Sequence, residues 1–177
     1  RGFNSGEPVR VVDGVTVVRG SLTKQSATLR VVAGVRGPLG GVAGRGRLGV
    51  LRELRAAGTG FERRLRALPR EPGSLHVFDP TNRSGPALGF FELRESPRTA
   101  APLTDALDVI EGAATARGVR EVAITPFGPE AADAVLVVRA LAERIRCGAS
   151  AIRWIVVVGD RAQFEAATAA GPSPISS

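Results

Sequence analysis

The fold is decided by residues 121–158, which read EVAITPFGPEAADAVLVVRALAERIRCGASAIRWIVVV. The nearly all-apolar run Glu121–Thr125 predicts a strand that is buried on both faces. Pro129 is expected to open a helix that continues to about Arg146, and residues 152–158 predict a second buried strand. Strand, helix and strand in this order are typical of two parallel strands joined by a crossover helix.

The same alternation extends to both sides of this segment. Upstream, the helical spacing of apolar residues predicts a helix over Leu103–Arg117, which Gly118 ends. Downstream, Asp160 and Gln163 have the spacing of a capping box for a last helix. The residues of the Pro129 helix expected inside the protein are Ala132, Val135, Leu136, Leu141 and Ile145.

The first half of the chain predicts mainly strands. Two β runs flank Asp13-Gly14, a dipeptide that suits the two-residue turn of a β-hairpin. The glycine-rich stretch Gly34–Gly49 is expected to be a loop without regular structure. A helix should start near Arg47. The remaining predicted elements are strands at Thr28–Val35, Ser74–Phe78 and Ala87–Leu93, a turn at Asp79–Gly85 and a short helix carrying Phe61, Leu65 and Leu68. This order predicts an α/β protein, a three-layer α/β/α sandwich with a mixed, mostly parallel sheet.

Length and composition set limits on the class of protein. The chain has 177 residues, of which 44% are apolar, and we expect one domain over residues 1–170 with a flexible tail over 171–177. No apolar run reaches the roughly 18 to 20 residues of a membrane span. We expect an intracellular protein of the cytoplasm or nucleus. The absence of methionine suggests a processed or excised piece of a larger chain.

Isolated chemistry-bearing residues are expected to be structural. One cysteine, Cys147, excludes an internal disulfide and a cysteine-rich zinc site, and we expect it to be a small packed side chain. The single histidine, His76, excludes a site with two imidazoles and is expected in a structural role. Asp105, Asp108 and Glu111 are expected on the solvated face of their helix. No cofactor and no metal site is predicted.

Two loops follow the carboxyl ends of predicted strands, where open α/β sheets bind ligands. Residues 36–46 offer many backbone amides, and Pro126–Pro129 follows the next buried strand. Amides that lead into a helix N-terminus suit phosphate, although a mobile surface loop has the same composition. The spacing GxGxxG at Gly44–Gly49 is a weak sign of a dinucleotide site, because it does not directly follow a strand.

The ordered series of segments resembles a macro domain, the α/β/α module that binds ADP-ribose. Val17–Thr23 resembles the family's Gly-Asp-Ile-Thr-like segment, and Val32–Val35 falls where the family has an Asn-Ala-Ala-Asn-like one. Leu39–Gly44 resembles its glycine-rich loop. Leu75–Pro80 is similar to a family segment of the form Ile-His-x-Val-x-Pro. The resemblance covers roughly residues 9–170.

The departures from the family pattern concern the residues that act on the ligand. Ser21 stands where the family has the aspartate that receives the adenine amino group, and Val35 stands at the asparagine that orients the distal ribose. The second phosphate loop is shortened to residues 126–128. The resemblance therefore implies a non-catalytic module for ADP-ribose-like or other phosphate-bearing ligands, with an ADP-ribosyl hydrolase and a purely structural domain as alternatives. The ligand-binding residues expected from it are Ser21, Val35, Gly40, Gly41, Val42, Ala43, Gly44, Thr125, Phe127 and Gly128.

Arginine is concentrated in one window. The net charge is +7, and residues 44–70 hold eight arginines against two glutamates. Such a basic segment indicates either nucleic acid, RNA or DNA, or an acidic neighbouring domain of a larger chain. A solvated helix face is the alternative, whereas the arginine bias of a GC-rich genome would not concentrate the charge in one segment. The candidate nucleic-acid-binding residues are Arg45, Arg47, Arg52, Arg55, Arg63, Arg64, Arg66 and Arg70.

Overall fold

The computed structural model describes residues 8–36, 42–43, 60–80 and 85–169. Within these residues the chain forms eight strands, four α-helices and one 3₁₀ turn at Leu22–Lys24. The strands are β1 (Val9–Val12), β2 (Val15–Arg19), β3 (Leu29–Arg36), β4 (Val42–Ala43), β5 (Leu75–Phe78), β6 (Ala87–Leu93), β7 (Glu121–Ile124) and β8 (Arg153–Val158). The helices are α1 (Phe61–Arg66), α2 (Ala100–Ala116), α3 (Ala131–Arg146) and α4 (Arg161–Ala169).

The strands form one mixed sheet in the order β1-β2-β8-β7-β3-β6-β5, with β4 paired to β3 alone. The five central strands are parallel, and the edge strands β1 and β5 are antiparallel to their neighbours. The predicted hairpin is present, because Asp13 and Gly14 adopt φ values of 49° and 86°, as a type I′ turn requires. The prediction of a mostly parallel sheet with helices is confirmed.

The two faces of the sheet carry different layers. Alternate residues of β3 point to opposite faces, so Val31 packs in the core under α2, α3 and α4, while Val32 packs with α1. Trp154 is fully buried on the three-helix face. Phe61 and Leu65 of α1 are buried on the other face, beside Leu22 of the 3₁₀ turn. The three layers of an α/β/α sandwich result.

The helix starts differ in detail from the sequence prediction. Helix α2 begins at Ala100, so Pro102 lies inside its first turn, where a missing N–H costs little. Helix α3 begins at Ala131 rather than at Pro129, because Glu130 and Asp133 form a capping box that the sequence analysis did not identify.

The buried face of α3 was predicted wrongly in part. Ala132 is exposed, and Val135, Leu136 and Ile145 are only half-buried. Of the predicted residues, Leu141 is fully buried. Helix α3 instead buries Ala134, Val137, Val138, Ala140 and Leu141. The helix is apolar on more than one side, and the apolar pattern alone does not select which side meets the sheet.

The glycine-rich stretch is not entirely irregular. Gly34 and Val35 belong to β3, and Val42–Ala43 return antiparallel as β4, with Val35 opposite Ala43 and Arg36 opposite Val42. The prediction of a loop over all of Gly34–Gly49 is therefore wrong at these positions. The helix expected near Arg47 and residues 81–84 of the expected turn lie outside the described residues.

Candidate functional site

The parallel strands place their carboxyl ends at one edge of the sheet, and Ser21, Val35 and Thr125 lie at or just after three of these ends. Gly20 after β2 donates its N–H to the carbonyl of Val158 at the end of β8, at 3.0 Å. Thr125 after β7 donates its N–H to Val31 of β3, at 3.2 Å. Thr125 therefore lies beside β3, the strand that carries Val35, whereas Ser21 follows β2, which β8 and β7 separate from β3.

The segment after β7 is buried rather than open. Thr125 is 7% exposed and Phe127 only 2%, and the Phe127 ring packs against Phe91 with ring centres 6.0 Å apart. The hydroxyl Oγ1 of Thr125 is buried without a hydrogen-bond partner among the described residues. An unsatisfied buried hydroxyl is uncommon and calls for a reason, of which a ligand is one.

Two buried contacts fix the course of this segment. The side-chain amide Nε2 of Gln163 donates to the carbonyls of Gly128 (3.2 Å) and Glu130 (3.1 Å).

Gln163 was expected to close a capping box with Asp160. Asp160 does accept the Gln163 N–H at 2.7 Å, but the Gln163 side chain does not return to it. A Cβ on Gly128 would lie 2.3 Å from Asp133 Oδ2, so any larger residue there would force the Asp133 side chain to move.

The other expected ligand residues lie in different settings. Ser21 is half-buried, and its Oγ lies 2.9 Å from Oγ1 of Thr23. Val35 is half-buried and packs against the three-helix core. Val42 and Ala43 form β4. Gly40, Gly41 and Gly44 lie outside the described residues.

Two clefts lie next to this edge and were not predicted. One of about 540 Å³ lies between the end of β6 and the start of α2, and one of about 620 Å³ lies between residues 96–98 and α3. Both are lined by Ser96, Pro97 and Arg98, and the second also by Pro129 and Glu130. The sequence signal that could have revealed them is a proline-interrupted segment directly after a buried strand.

A buried polar network lies below the first cleft. Glu92, 1% exposed, accepts hydrogen bonds from the Glu71 N–H at 3.0 Å and from the Arg36 guanidinium at 3.3 Å, and its Oε1 lies 3.1 Å from His76 Nε2. Burial raises the pKa of Glu92, but these hydrogen bonds and the Arg36 charge outweigh it and hold the pKa below its ordinary value. His76 thus has the structural surroundings that the sequence analysis expected.

This network does not have the geometry of a nucleophile relay. Ser74 Oγ lies 3.4 Å from His76, but it approaches the same Nε2 atom that faces Glu92. A relay needs the nucleophile and the carboxylate on different ring nitrogens. The Ser74 hydroxyl also donates to the Glu71 carbonyl at 2.6 Å.

The remaining chemistry-bearing residues also pair locally. Cys147 is exposed, contrary to the expected packed side chain, and its hydrogen bond to the Glu143 carboxylate raises the pKa of its thiol. Glu111 is mostly buried rather than solvated, because Arg144 binds it at 3.1 Å and also binds Asp108. Within the described residues no group of three or more His, Cys, Asp and Glu side chains could hold a metal.

The described arginines of the basic window lie on and after α1. Arg63, Arg64, Arg66 and Arg70 are all exposed. Arg64 lies over the ring of Phe78 at 5.1 Å and donates to the carbonyl of Asp79 at 2.8 Å. The other four predicted arginines, Arg45, Arg47, Arg52 and Arg55, lie outside the described residues.

Among the helices that the structure describes, none has the length and apolar character to cross a membrane.

Comparison with solved structures identifies the fold. The chain is similar to an Oceanobacillus iheyensis macrodomain with ADP (TM-score 0.61, 11% identity, 93% of this chain and 94% of that chain). It is also similar to the macro domain of ganglioside induced differentiation associated protein 2 (0.65, 13%, 94% and 88%). A third similar structure is a Trypanosoma brucei macrodomain in complex with ADP, with a TM-score of 0.65 and 12% identity over 86% of this chain and 67% of that chain.

The chain therefore has the macrodomain fold, as the sequence resemblance predicted. Neither a scan against protein-family models nor a search of the curated proteins finds a match. At 10% to 13% identity the likeness concerns the fold, and the ligand has to be argued from the residues of this chain.

Proposed function

We propose that this protein is a non-catalytic binding module for a phosphate-bearing ligand of the ADP-ribose type, within a larger protein. The ligand would lie at the carboxyl edge of β2, β3 and β7, beside Ser21 and Thr125. Other phosphate-bearing molecules, nucleic acid among them, belong to the same proposal. Two of the similar macrodomain structures contain ADP, which supports this choice of ligand.

The observation that carries the proposal is the unpartnered hydroxyl of Thr125. It follows β7 at the edge where α/β sheets bind ligands, and leaving it unsatisfied costs about 1–3 kcal/mol. Gln163 and Asp133 bind the backbone of Gly128 and Glu130, which follow Thr125 in the same segment. A ligand oxygen reaching this edge would satisfy it.

The absence of catalysis is proposed from residue chemistry. Val35 has no polar atom with which to orient a water molecule or a ribose hydroxyl, and the Ser74, His76 and Glu92 group lacks relay geometry. An ADP-ribosyl hydrolase is the alternative, and release of ADP-ribose from a modified protein would establish it.

Calorimetric titration with ADP-ribose tests the proposal. We expect binding with the wild type and about tenfold weaker binding after Thr125→Val, because the variant keeps the shape and loses one hydrogen bond to a charged group of about 1.5 kcal/mol. The matched control is Thr104→Val, since the exposed Thr104 hydroxyl bonds only its own helix at Ala100. The control should bind like the wild type.

The same variant has a stability readout. If the hydroxyl is unsatisfied without ligand, Thr125→Val raises the free energy of unfolding by about 1 kcal/mol, measured by urea denaturation. A destabilised Thr125→Val protein would mean that the hydroxyl already has a partner. Absence of heat at millimolar ADP-ribose would reject the ligand.

A second candidate is a structural or interaction domain that has lost ligand binding. Burial of residues 125–128 favours it, because Phe127 occupies the core against Phe91 instead of leaving space for a ligand. Under this candidate Thr125→Val gains stability and no titration with ADP-ribose, ADP or inorganic phosphate gives heat.

A further inference from the structure

Strand β1 lies at a lateral edge of the sheet, and among the strands that the structure describes it pairs only with β2. The two-residue turn makes Val12 and Val15 a hydrogen-bonded pair, and such pairs alternate along an antiparallel ladder. The Arg19 N–H donates to the Pro8 carbonyl at 3.0 Å, which continues the same alternation. Arg10 therefore bonds to β2 through its backbone, whereas its two neighbours do not.

The backbone groups of Val9 and Val11 are directed outward. Their two N–H groups and two carbonyls point away from β2, at the open edge of the sheet. Both side chains are exposed, and Val11 at 64% is the most exposed large apolar residue among those described. Unpaired backbone groups beside exposed apolar side chains are a template for one further strand.

Arg10 gives this edge its charge. Its side chain lies between the two valines in sequence and on the opposite face of the strand, because successive residues of a strand alternate. The side chain is exposed and makes no hydrogen bond or ion pair with the residues that the structure describes. The edge therefore presents an apolar, a cationic and an apolar position in succession.

A second copy of this chain does not match that succession. The antiparallel register that uses all four outward groups pairs Val9 with Val11 of the copy and places the two Arg10 residues directly opposite each other. Residues at this position of the ladder approach each other most closely, with Cα atoms about 4.5 Å apart. Like charges directly opposite destabilise a strand pair, so Arg10 disfavours self-association.

We propose that the outer edge of β1 binds an extended acidic peptide segment of a partner protein as an additional antiparallel strand. A carboxylate of the peptide lies opposite Arg10, and apolar residues lie opposite Val9 and Val11. The four outward backbone groups of β1 supply the hydrogen bonds, and the charge pair sets the register. This lateral edge is separate from the carboxyl edge that the proposed function uses.

Nuclear magnetic resonance titration of the ¹⁵N-labelled protein tests this surface at low salt. The probes are the acetylated and amidated peptides Thr-Val-Glu-Val-Thr and Thr-Val-Lys-Val-Thr. We expect the amide signals of residues 9–12 to shift, with about tenfold tighter binding of the glutamate peptide, because a favourable cross-strand pair replaces a repulsive one. The preference should shrink at high salt.

Charge reversal identifies the residue that sets the preference. Arg10→Glu should favour the lysine peptide over the glutamate peptide. The matched control is Arg120→Glu, which changes the net charge equally at an exposed arginine two strands away from β2 and should keep the wild-type preference.

Two further variants test the backbone bonds. Val11→Pro removes an outward N–H that the β1–β2 ladder does not use, so it should abolish peptide binding while the other amide signals stay in place. N-methylation of both peptide valines removes the bonding N–H groups without altering the protein and should also abolish binding, whereas N-methylation of the glutamate should not.

Three results would overturn the proposal. They are equal affinity for the two peptides, signal shifts that do not include residues 9–12, and a wild-type dimer in sedimentation that Val11→Pro dissociates. The last result would assign the edge to a second copy of the chain. None of these measurements involves ADP-ribose, so failure of the ligand proposal leaves this test intact.

Discussion

The two faces of the sheet are stabilised in different ways. Helices α2, α3 and α4 cover one face with a large apolar core, and their charges are partly neutralised across helices, as in the pairing of Arg144 with Asp108 and Glu111. On the other face the described helix is α1, with only six residues, and the polar network of Arg36, Glu92 and His76 accompanies its apolar contacts. A short helix buries little area, so polar groups that satisfy its end matter more.

The two faces also differ in how their charged residues are paired. The three long helices hold six acids and four arginines, and several of these pair with one another. On the α1 side, Arg36 is buried in an ion pair with Glu92, whereas Arg63 and Arg66 are exposed. Arginine is therefore buried and paired at one position of this layer and exposed at two others.

The largest loss of stability is expected from a cavity in the apolar core under the three helices. Trp154→Ala removes a fully buried ring from the three-helix core and should lower the free energy of unfolding by about 3–5 kcal/mol, measured by urea denaturation. Trp154→Phe keeps most of the ring but loses the hydrogen bond from Nε1 to Ser150 Oγ at 2.9 Å. If Trp154→Ala lowered the free energy of unfolding no more than Trp154→Phe, the buried apolar area of the ring would not be what stabilises this face.

The next effect should come from the polar network of the other face. Glu92→Gln keeps the shape and removes the charge opposite Arg36, with an expected loss of about 2–3 kcal/mol at neutral pH. Because the folded pKa of Glu92 lies below its unfolded value, its contribution is present above the ordinary glutamate pKa of about 4.3 and is lost as the pH falls through the folded pKa.

The difference between wild type and Glu92→Gln should therefore shrink on acidification. Urea denaturation at pH 7 and at pH 3 measures it, and Glu95→Gln is the control because Glu95 is exposed. A difference that stays constant between these pH values would show that the ionised carboxylate does not support α1.

The smallest effect is expected at the bridge between α2 and α3. Arg144→Met keeps the apolar stem and removes the bonds to Asp108 and Glu111, with an expected loss of about 1 kcal/mol. Thermal unfolding at low and at 0.5 M salt measures it, and the difference from wild type should fall at high salt. The control Arg161→Met removes a fully exposed pair with Glu165 and should change little. If Arg144→Met lowered the stability as much as Glu92→Gln does, the ion pairs of the two faces would contribute equally, which would contradict the comparison.

Much of the fold could be predicted because it depends on local patterns. The Asp13-Gly14 turn, the buried strand β7 and the helix α2 each follow from residues close together in the chain. The candidate ligand residues Ser21 and Val35 were named from the resemblance to the macro domain, and Thr125 from its place at the end of a predicted buried strand. Whether they bind a ligand stays a prediction, because no local pattern reports what a side chain will meet across the sheet.

What the sequence by itself determined is the succession of strands and helices, the parallel sheet and the concentration of arginine in residues 44–70. Only the tertiary structure decided that Glu92 holds Arg36, that Gln163 binds the carbonyl of Gly128, and that Phe127 is buried against Phe91. These pairs are 35 to 56 residues apart. Hydrophobic period and turn chemistry act over a few residues, whereas contacts at such separations depend on how whole elements pack.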